Sequence, residues 1–141
     1  FDLPALAESA RAALAGRGVG DRFEFVAGDF FTAVPEGHDL YTLFAIVHDW
    51  DDEATARLLR RCREAIADDG RILVVEQVMP ERVVGRAHLR QAVADLNMLV
   101  MLGGRERTIL EFRQLLEAAG FRYVGVTPAA LGYSVVEGVA A

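Results

Sequence analysis

Apolar and polar positions follow two different periods along the chain, and the change of period predicts its helices and strands. Short apolar runs bounded by glycine, proline or aspartate predict strands, whereas longer segments with apolar residues three or four positions apart predict amphipathic helices. The predicted helices are residues 4–16, 51–70, 87–102 and 108–120. The predicted strands are residues 23–28, which run into a loop at 29–31, and residues 38–47, 71–78, 121–129 and 132–140. This order predicts an α/β fold with helices on both faces of a sheet.

Two of the predicted helices carry their own start and stop signals. Asp51 or Asp52 is expected to cap the second helix, because a short carboxylate can accept hydrogen bonds from the free N–H groups there. Thr108 and Glu111 predict a capping box at the last helix, and Gly120 follows that helix at the C′ position. The two strands after Gly120 are expected to form an antiparallel pair. The apolar stripe of the second helix consists of positions 54, 58, 62, 65 and 66.

Composition and charge narrow the class of protein. The chain has 141 residues, 52% of them hydrophobic, which is enough for one domain with a core. Its net charge is −6, so nucleic acid and anionic membranes are not expected partners. All fifteen basic residues are arginine. Cys62 is the only cysteine, which excludes an intramolecular disulfide and fits a cytoplasmic protein. No apolar run approaches the ~18 residues of a spanning helix.

Polar residues follow the predicted strands at the places where open α/β sheets bind ligands, which is beyond the carboxyl ends of their strands. Asp2 stands at the end of a possible truncated strand; it could accept hydrogen bonds from a ribose or cap the next helix. Asp29 could accept from an exocyclic amine, and Phe30 could stack on a planar base. The alternative for that pair is an ordinary turn with core aromatic residues.

His48 is the sharpest candidate for chemistry. An ordinary histidine has a pKa of about 6.5, so much of it is neutral at pH 7 and able to accept a proton. A positioned base can accelerate proton removal by about 10²–10⁴, provided that one tautomer is held. Glu76, at the end of the next strand, and Glu106, in the "GGRERT" loop, could hold it. Alternatively, His48 and Asp49 only end a strand, Glu76 is solvated, and the arginines of that loop pair locally.

The remaining reactive side chains predict no further site. His38 is flanked by turn residues and is expected at the surface, while His88 lies on a helical segment without a visible partner. The histidines lack the spacing of a metal site, so no metal is predicted. Cys62 lies on the apolar stripe of its helix and is expected to be an inert core residue.

The order of the motifs is more specific than any one of them. The series "FDLP", "GDFF", "HDWDDE", "VVEQVMP", "DLNML", "GGRERT" with "LLEAAGF", and "YSVVEG" covers essentially the whole chain. In this order and spacing it resembles the S-adenosylmethionine (SAM)-dependent O-methyltransferases, of the type formed by the plant caffeate and flavonoid enzymes and their bacterial relatives. The resemblance implies a Rossmann-like sheet, SAM as cofactor, an aromatic small molecule as acceptor, and no metal.

The resemblance also implies roles for individual residues. His48 matches the general base that deprotonates the acceptor hydroxyl as it attacks the sulfonium methyl in line, and Glu76 and Glu106 match the acids that orient it. The implied cofactor-binding residues are Asp2 at the ribose, Asp29 and Phe30 at the adenine, and Phe44, where many members have Lys or Arg. The implied acceptor-binding residues are Asp49, Met98 and Met101.

The resemblance further implies what this chain lacks. In the family, the first strand, its glycine-rich loop and an N-terminal dimerisation domain precede "FDLP". We therefore expect residues 1–141 to be a partial catalytic domain of a longer protein that forms homodimers, and the strand at 23–28 to lose its neighbour. Two alternatives stay open: a catalytically incomplete remnant with a regulatory role, and a relative that uses SAM for other chemistry.

Overall fold

Helices and strands alternate along most of the chain. The computed structural model describes residues 1–141, apart from the side chain of Ala87. The α-helices are α1 (Ala7–Ala15), α2 (Asp52–Ala65), α3 (Leu89–Leu102) and α4 (Ile109–Ala118). The strands are β1 (Leu40–Phe44), β2 (Arg71–Met79), β3 (Arg107–Thr108), β4 (Phe121–Pro128) and β5 (Tyr133–Ala140).

The strands form one mixed five-stranded sheet, which confirms the predicted α/β class. The order is β1-β2-β5-β4, with β1 parallel to β2 and with β5 antiparallel to both β2 and β4. The short strand β3 pairs in parallel with the last residues of β2, where Val78 lies opposite Arg107. Strand β1 ends opposite Val75, so the next residue of β2, Glu76, lies just beyond the carboxyl end of β1.

A single apolar cluster joins α2 and α4 to the sheet. Leu58 and Cys62 of the predicted stripe are buried in α2, together with Thr55 and Leu59, which the prediction did not include. The apolar members of this set meet those of α4 over β2, β4 and β5. The principal members are Leu58, Leu59, Cys62, Ile72, Val74, Phe112, Leu116, Phe121 and Val136. Burial raises the pKa of the Cys62 thiol to about 12, so this cysteine carries no thiolate at neutral pH.

Local sequence signals locate the helix ends. The Asp51 side chain accepts from the Ala54 N–H at 2.8 Å and caps α2. The capping box of Thr108 and Glu111 is present at α4, and Gly120 has a φ of +90°, a value that glycine adopts without strain. Helix α2 ends at Ala65, earlier than the predicted 70.

Two strand predictions need correction. Residues 23–28 form no strand, because a strand needs a hydrogen-bonded neighbour. Among the described residues, their one ladder contact is a parallel bridge between Asp2 and Ala27. The strand predicted over 38–47 is limited to β1, since Ala45 has a φ of +51° and a 3₁₀ turn follows. Strand β1 is partly exposed and, among the described strands, pairs only with β2.

The short strand β3 was not predicted. A two-residue pairing has no periodicity to detect, yet it carries the "GGRERT" segment to the end of β2. No helix among the described residues is both long enough and apolar enough to cross a membrane.

Candidate active site

A buried carboxylate organises the turn that carries His48. Residues 46–50, called here the His48 turn, follow β1 and lie over the end of β2. One oxygen of Glu76, Oε1, accepts hydrogen bonds from the N–H groups of Ile46, Val47 and His48 at 3.0, 2.7 and 3.3 Å. Because Glu76 is fully buried, these three donors replace the water that its carboxylate would otherwise require.

The imidazole of His48 faces two carboxylates through one nitrogen. Its Nδ1 lies 3.2 Å from Oε2 of Glu76 and 3.3 Å from Oε1 of Glu106. Neither contact has the directed geometry of a hydrogen bond, so both are chiefly electrostatic. The other nitrogen, Nε2, lies 3.4 Å from Oδ1 of Asp49, and the His48 side chain keeps 14% of its surface exposed. The structure thus brings together His48, Asp49, Glu76 and Glu106.

The electrostatics of this group favour a protonated imidazole. The pKa of His48 is raised above 6.5, first by its interaction with Glu106 and further by the charges of Glu76 and Asp49, while burial opposes the shift. Burial raises the pKa of Glu76, and the His48 charge and the turn N–H groups counteract that effect. His48, Glu76 and Glu106 could also each offer one atom to a cation, since these atoms lie within 4.8 Å of one another.

The "GGRERT" segment fits closely against the His48 turn. The Arg105 N–H donates to the carbonyl of His48 at 2.9 Å, and the Glu106 N–H donates to Oδ1 of Asp95 on α3 at 2.9 Å. A Cβ at Gly104 would overlap the His48 carbonyl oxygen, so this close approach requires glycine. The segment therefore presents Glu106 to the imidazole with its backbone held on both sides.

The two arginines of this segment behave differently. Arg105 is partly exposed and pairs with Asp52 at 3.2 Å and with Glu111, in agreement with local pairing. Arg107 is fully buried, and besides pairing with Asp52 at 2.8 Å it donates to the carbonyl of Val47 in the His48 turn. Local pairing therefore describes Arg105 but not Arg107.

A cavity of about 500 Å³ lies between the Asp2–Ala27 bridge and strand β1. Among the predicted cofactor residues, Asp2, Phe30 and Phe44 line it. Phe44 is 58% exposed, and its ring lies 5.0 Å from that of Tyr133. His48 does not line this cavity, but Ile46, at the start of the same turn, does.

The other predicted binding residues lie elsewhere. Asp29 is absent from the cavity lining; its Oδ1 accepts from the Phe31 N–H at 2.8 Å, as in an Asx turn. Asp2 does not cap the first turn, whose N-cap is Leu3. Met98 is half-buried and Met101 is 76% exposed on α3, and neither lines the cavity beside β1.

Comparison with known proteins places these features in a family. The O-methyltransferase domain family matches residues 1–122. The chain belongs to this O-methyltransferase family.

Known relatives align with nearly the whole of this chain. A phenazine O-methyltransferase of Lysobacter antibioticus is 46% identical over 137 residues, which is 97% of this chain and 39% of that protein. The O-demethylpuromycin-O-methyltransferase of Streptomyces alboniger is 46% identical over 139 residues, or 97% of this chain and 37% of that protein. The chain therefore spans less than half the length of the curated relatives it matches.

A solved O-methyltransferase structure has the same fold. An enzyme of neocarzinostatin biosynthesis is 35% identical, with a TM-score of 0.85, over 99% of this chain and 40% of its own. That structure contains S-adenosyl-L-homocysteine and 1,4-dihydroxy-2-naphthoic acid, and another structure of the same enzyme contains SAM and a hydroxy-methyl naphthoic acid.

Two residues that contact the His48 turn or Glu106 went unrecognised in the sequence. Asp95 fixes the backbone of Glu106, and Arg107 reaches the His48 turn. Asp95 is the one acid in the largely apolar sequence of α3, which is a weak signal that its carboxylate has a partner. Arg107 had no usable signal, because its partners lie more than fifty positions away in sequence.

Proposed function

We propose that this chain is part of an enzyme that transfers a methyl group from SAM to a phenolic hydroxyl of an aromatic small molecule, with His48 as general base. The carrying observation is the contact of His48 Nδ1 with two buried carboxylates, at 3.2 and 3.3 Å, which leaves Nε2 on the other side of the ring. The family membership supports the reaction class.

The two carboxylates give His48 the properties that a base needs. An acid beside Nδ1 favours the tautomer with its proton on Nδ1, so the lone pair is on Nε2, which can accept the acceptor's proton. The same acids stabilise the imidazolium that forms. A phenol with a pKa near 10 is almost un-ionised at pH 7, and a base with a pKa raised above 6.5 removes its proton more readily than an ordinary histidine.

The residues around the cavity fit part of a nucleoside. Asp2 offers a carboxylate to ribose hydroxyls, and Phe30 and Phe44 offer rings for a planar base. Asp29 precedes Phe30 in sequence without lining the cavity, and it is the proposed acceptor for the amine of that base. When bound, SAM would supply the methyl group. Since Phe44 carries no charge, it contributes an apolar contact rather than an ionic one.

An aromatic acceptor is supported by the relatives and by the chemistry of α3. The neocarzinostatin enzyme binds naphthoic acids, and the Lysobacter relative is named for phenazine. We propose that Asp49 contacts the acceptor beside His48 and that Met98 and Met101 contribute an adaptable apolar surface for its ring. The protein is further proposed to act as a homodimer without a metal.

The base assignment is tested by His48→Ala in the protein that carries this sequence. Methyl transfer to a phenol should fall by about 10²–10⁴, because proton removal loses its base. His88→Ala is the matched control, since among the described residues the His88 side chain accepts a hydrogen bond from the Val84 N–H and forms no ion pair. Wild-type transfer by the His48 variant contradicts the base assignment.

Prior incubation with EDTA should leave the rate unchanged, and a loss restored by a divalent cation would contradict the metal-free mechanism.

A second candidate function is SAM-dependent chemistry without methyl transfer. In that case the protein should bind SAM, measured by calorimetry, but should yield no methylated product from any phenol or naphthol. A remnant with a regulatory role would lack both SAM binding and product.

A further inference from the structure

The His48 turn is fixed from two sides. Glu76 accepts hydrogen bonds from the N–H groups of the turn, as described above. Two carbonyl groups of the turn accept from a different side chain, that of Arg107. The Arg107 guanidinium donates from one terminal nitrogen to the carbonyl of Val47 and from the other to the carbonyl of Trp50, both at 2.8 Å. These two carbonyls bracket His48 and Asp49 in the sequence. One side chain therefore holds both ends of the segment that carries the imidazole.

The rest of the Arg107 guanidinium is also engaged. Its Nε and a terminal nitrogen donate to Oδ1 of Asp52 at 2.9 and 2.8 Å, and further contacts reach Oγ1 of Thr55 at 3.2 Å and the carbonyl of Arg105 at 3.4 Å. Arg107 is 0% exposed, and a buried charge is costly unless it is paired and hydrogen-bonded. The planar fork of arginine meets several oxygens at once, which the single ammonium of lysine cannot do.

Arg107 also neighbours Glu106 in the chain. A change in the position of its backbone would move the Glu106 carboxylate, and a change in its guanidinium would move the His48 turn. The 3.3 Å separation between His48 and Glu106 therefore depends on this one residue from both directions.

We propose that Arg107 is a positioning residue that sets the geometry between His48 and Glu106. This inference rests on the proposed role of His48 as the base. Arg107 touches neither the reacting hydroxyl nor the cofactor residues named above. It acts by holding the carbonyls of Val47 and Trp50.

The test compares Arg107→Met with wild type in the protein that carries this sequence. A misplacement of about 1 Å can cost roughly 10²-fold in rate, so kcat should fall by up to that factor while KM for SAM stays unchanged. The limb on which kcat/KM rises with pH should move to lower pH, because the imidazole leaves the Glu106 carboxylate. Arg107→Lys should recover part of kcat, since it keeps the charge.

A second variant covers the case in which Arg107→Met fails to fold. Asp52→Ala removes the carboxylate that accepts from Arg107, and the Asp52 side chain is 55% exposed, so the core is untouched. It should lower kcat less than Arg107→Met, with the same shift of the pH limb and of the His48 titration followed by NMR. Arg63→Met is the matched control: Arg63 donates to the carbonyls of Gly120 and Ala141, far from the His48 turn, and its loss should leave kcat unchanged.

The outcomes separate this inference from the proposed function. If His48→Ala retains wild-type transfer, the base role fails, whatever the arginine variants do. If His48→Ala loses transfer but folded Arg107→Met keeps both kcat and the pH limb, Arg107 is not a positioning residue. Where Arg107→Met does not fold, an unchanged kcat and pH limb in Asp52→Ala has the same meaning.

Discussion

Glu76 performs two tasks with its two oxygens. Oε1 holds three N–H groups of the His48 turn, and Oε2 lies against the imidazole. The first task needs only an acceptor, whereas the second depends on charge. Glutamine has the same shape and one carbonyl oxygen, so Glu76→Gln separates the two tasks better than a truncation to alanine, which would leave three buried N–H groups without a partner.

The pH dependence of methyl transfer follows from these charges. Because the pKa of His48 is raised, first by Glu106 and then by Glu76 and Asp49, more than half of the imidazole is protonated at pH 6.5. We expect kcat/KM, which reports the pKa values of the free enzyme, to rise with pH along a limb centred above 6.5. Glu76→Gln should move this limb to lower pH, because one of the charges that stabilise the imidazolium is removed. A kcat/KM–pH profile of both proteins checks this, and a limb at the same pH in both would contradict it.

The same shift links His48 to folding. A pKa raised in the folded state means that protonation favours folding. Its contribution is complete below about 6.5, the unfolded value, and is lost as pH rises through the folded value. His48→Ala removes this contribution. The difference in the free energy of unfolding between wild type and the variant should therefore change between the unfolded and the folded pKa of His48.

At residue level, sequence predicted the members of the site better than their contacts. Glu76 and Glu106 were predicted to flank His48, and both lie within 3.3 Å of its Nδ1. The three N–H bonds to Glu76 could not be predicted, because a strand pattern encodes burial and not the partner of a buried charge. The same limit hid Arg107, whose partners come from a distant turn and from α2.

At the scale of elements, local signals succeeded and non-local pairing failed. The ends of α4 and the start of α2 were predictable because caps are written within four residues of sequence. Residues 23–28 have the composition of a strand, but a ladder depends on a neighbour, and the one neighbour among the described residues is Asp2. Strand β1 stops early for a tertiary reason as well, since Glu76 gathers the N–H groups that would have continued it.

The cap of α2 gives a prediction at this scale. Asp51 accepts from the Ala54 N–H at 2.8 Å, at the start of the helix that also presents Asp52 to Arg107. Asp51→Ala should lower the free energy of unfolding by about 0.5–2 kcal/mol, because an N–H group loses its acceptor. Asp51→Asn is the matched control and should stay near wild type, since asparagine caps equally well. Chemical denaturation measures both, and equal losses in the two variants would show that the cap bond is not the cause.

Across the whole molecule, the apolar core and the polar site share the same helix. The first turn of α2 supplies Asp52 and Thr55 to Arg107, and the rest of the helix supplies Leu58, Leu59 and Cys62 to the core. The packing of α2 against α4 and the sheet therefore also positions Asp52, and through it Arg107, beside the His48 turn. Core stability and site geometry are expected to be coupled through α2 rather than through contacts of core residues with the imidazole.

Helix α4 allows the core contribution to be measured with a control on the same helix. Leu116 is 1% exposed within the cluster that joins α2, α4 and the sheet, whereas Leu110 is 52% exposed. Leu116→Ala should lower the free energy of unfolding by about 2–5 kcal/mol, through lost burial and the cavity that remains. Leu110→Ala should change it by no more than about 0.5 kcal/mol, because surface substitutions of this kind cost little. Denaturant titration of both variants is the measurement; similar losses would mean that the cluster does not hold α4 to the sheet.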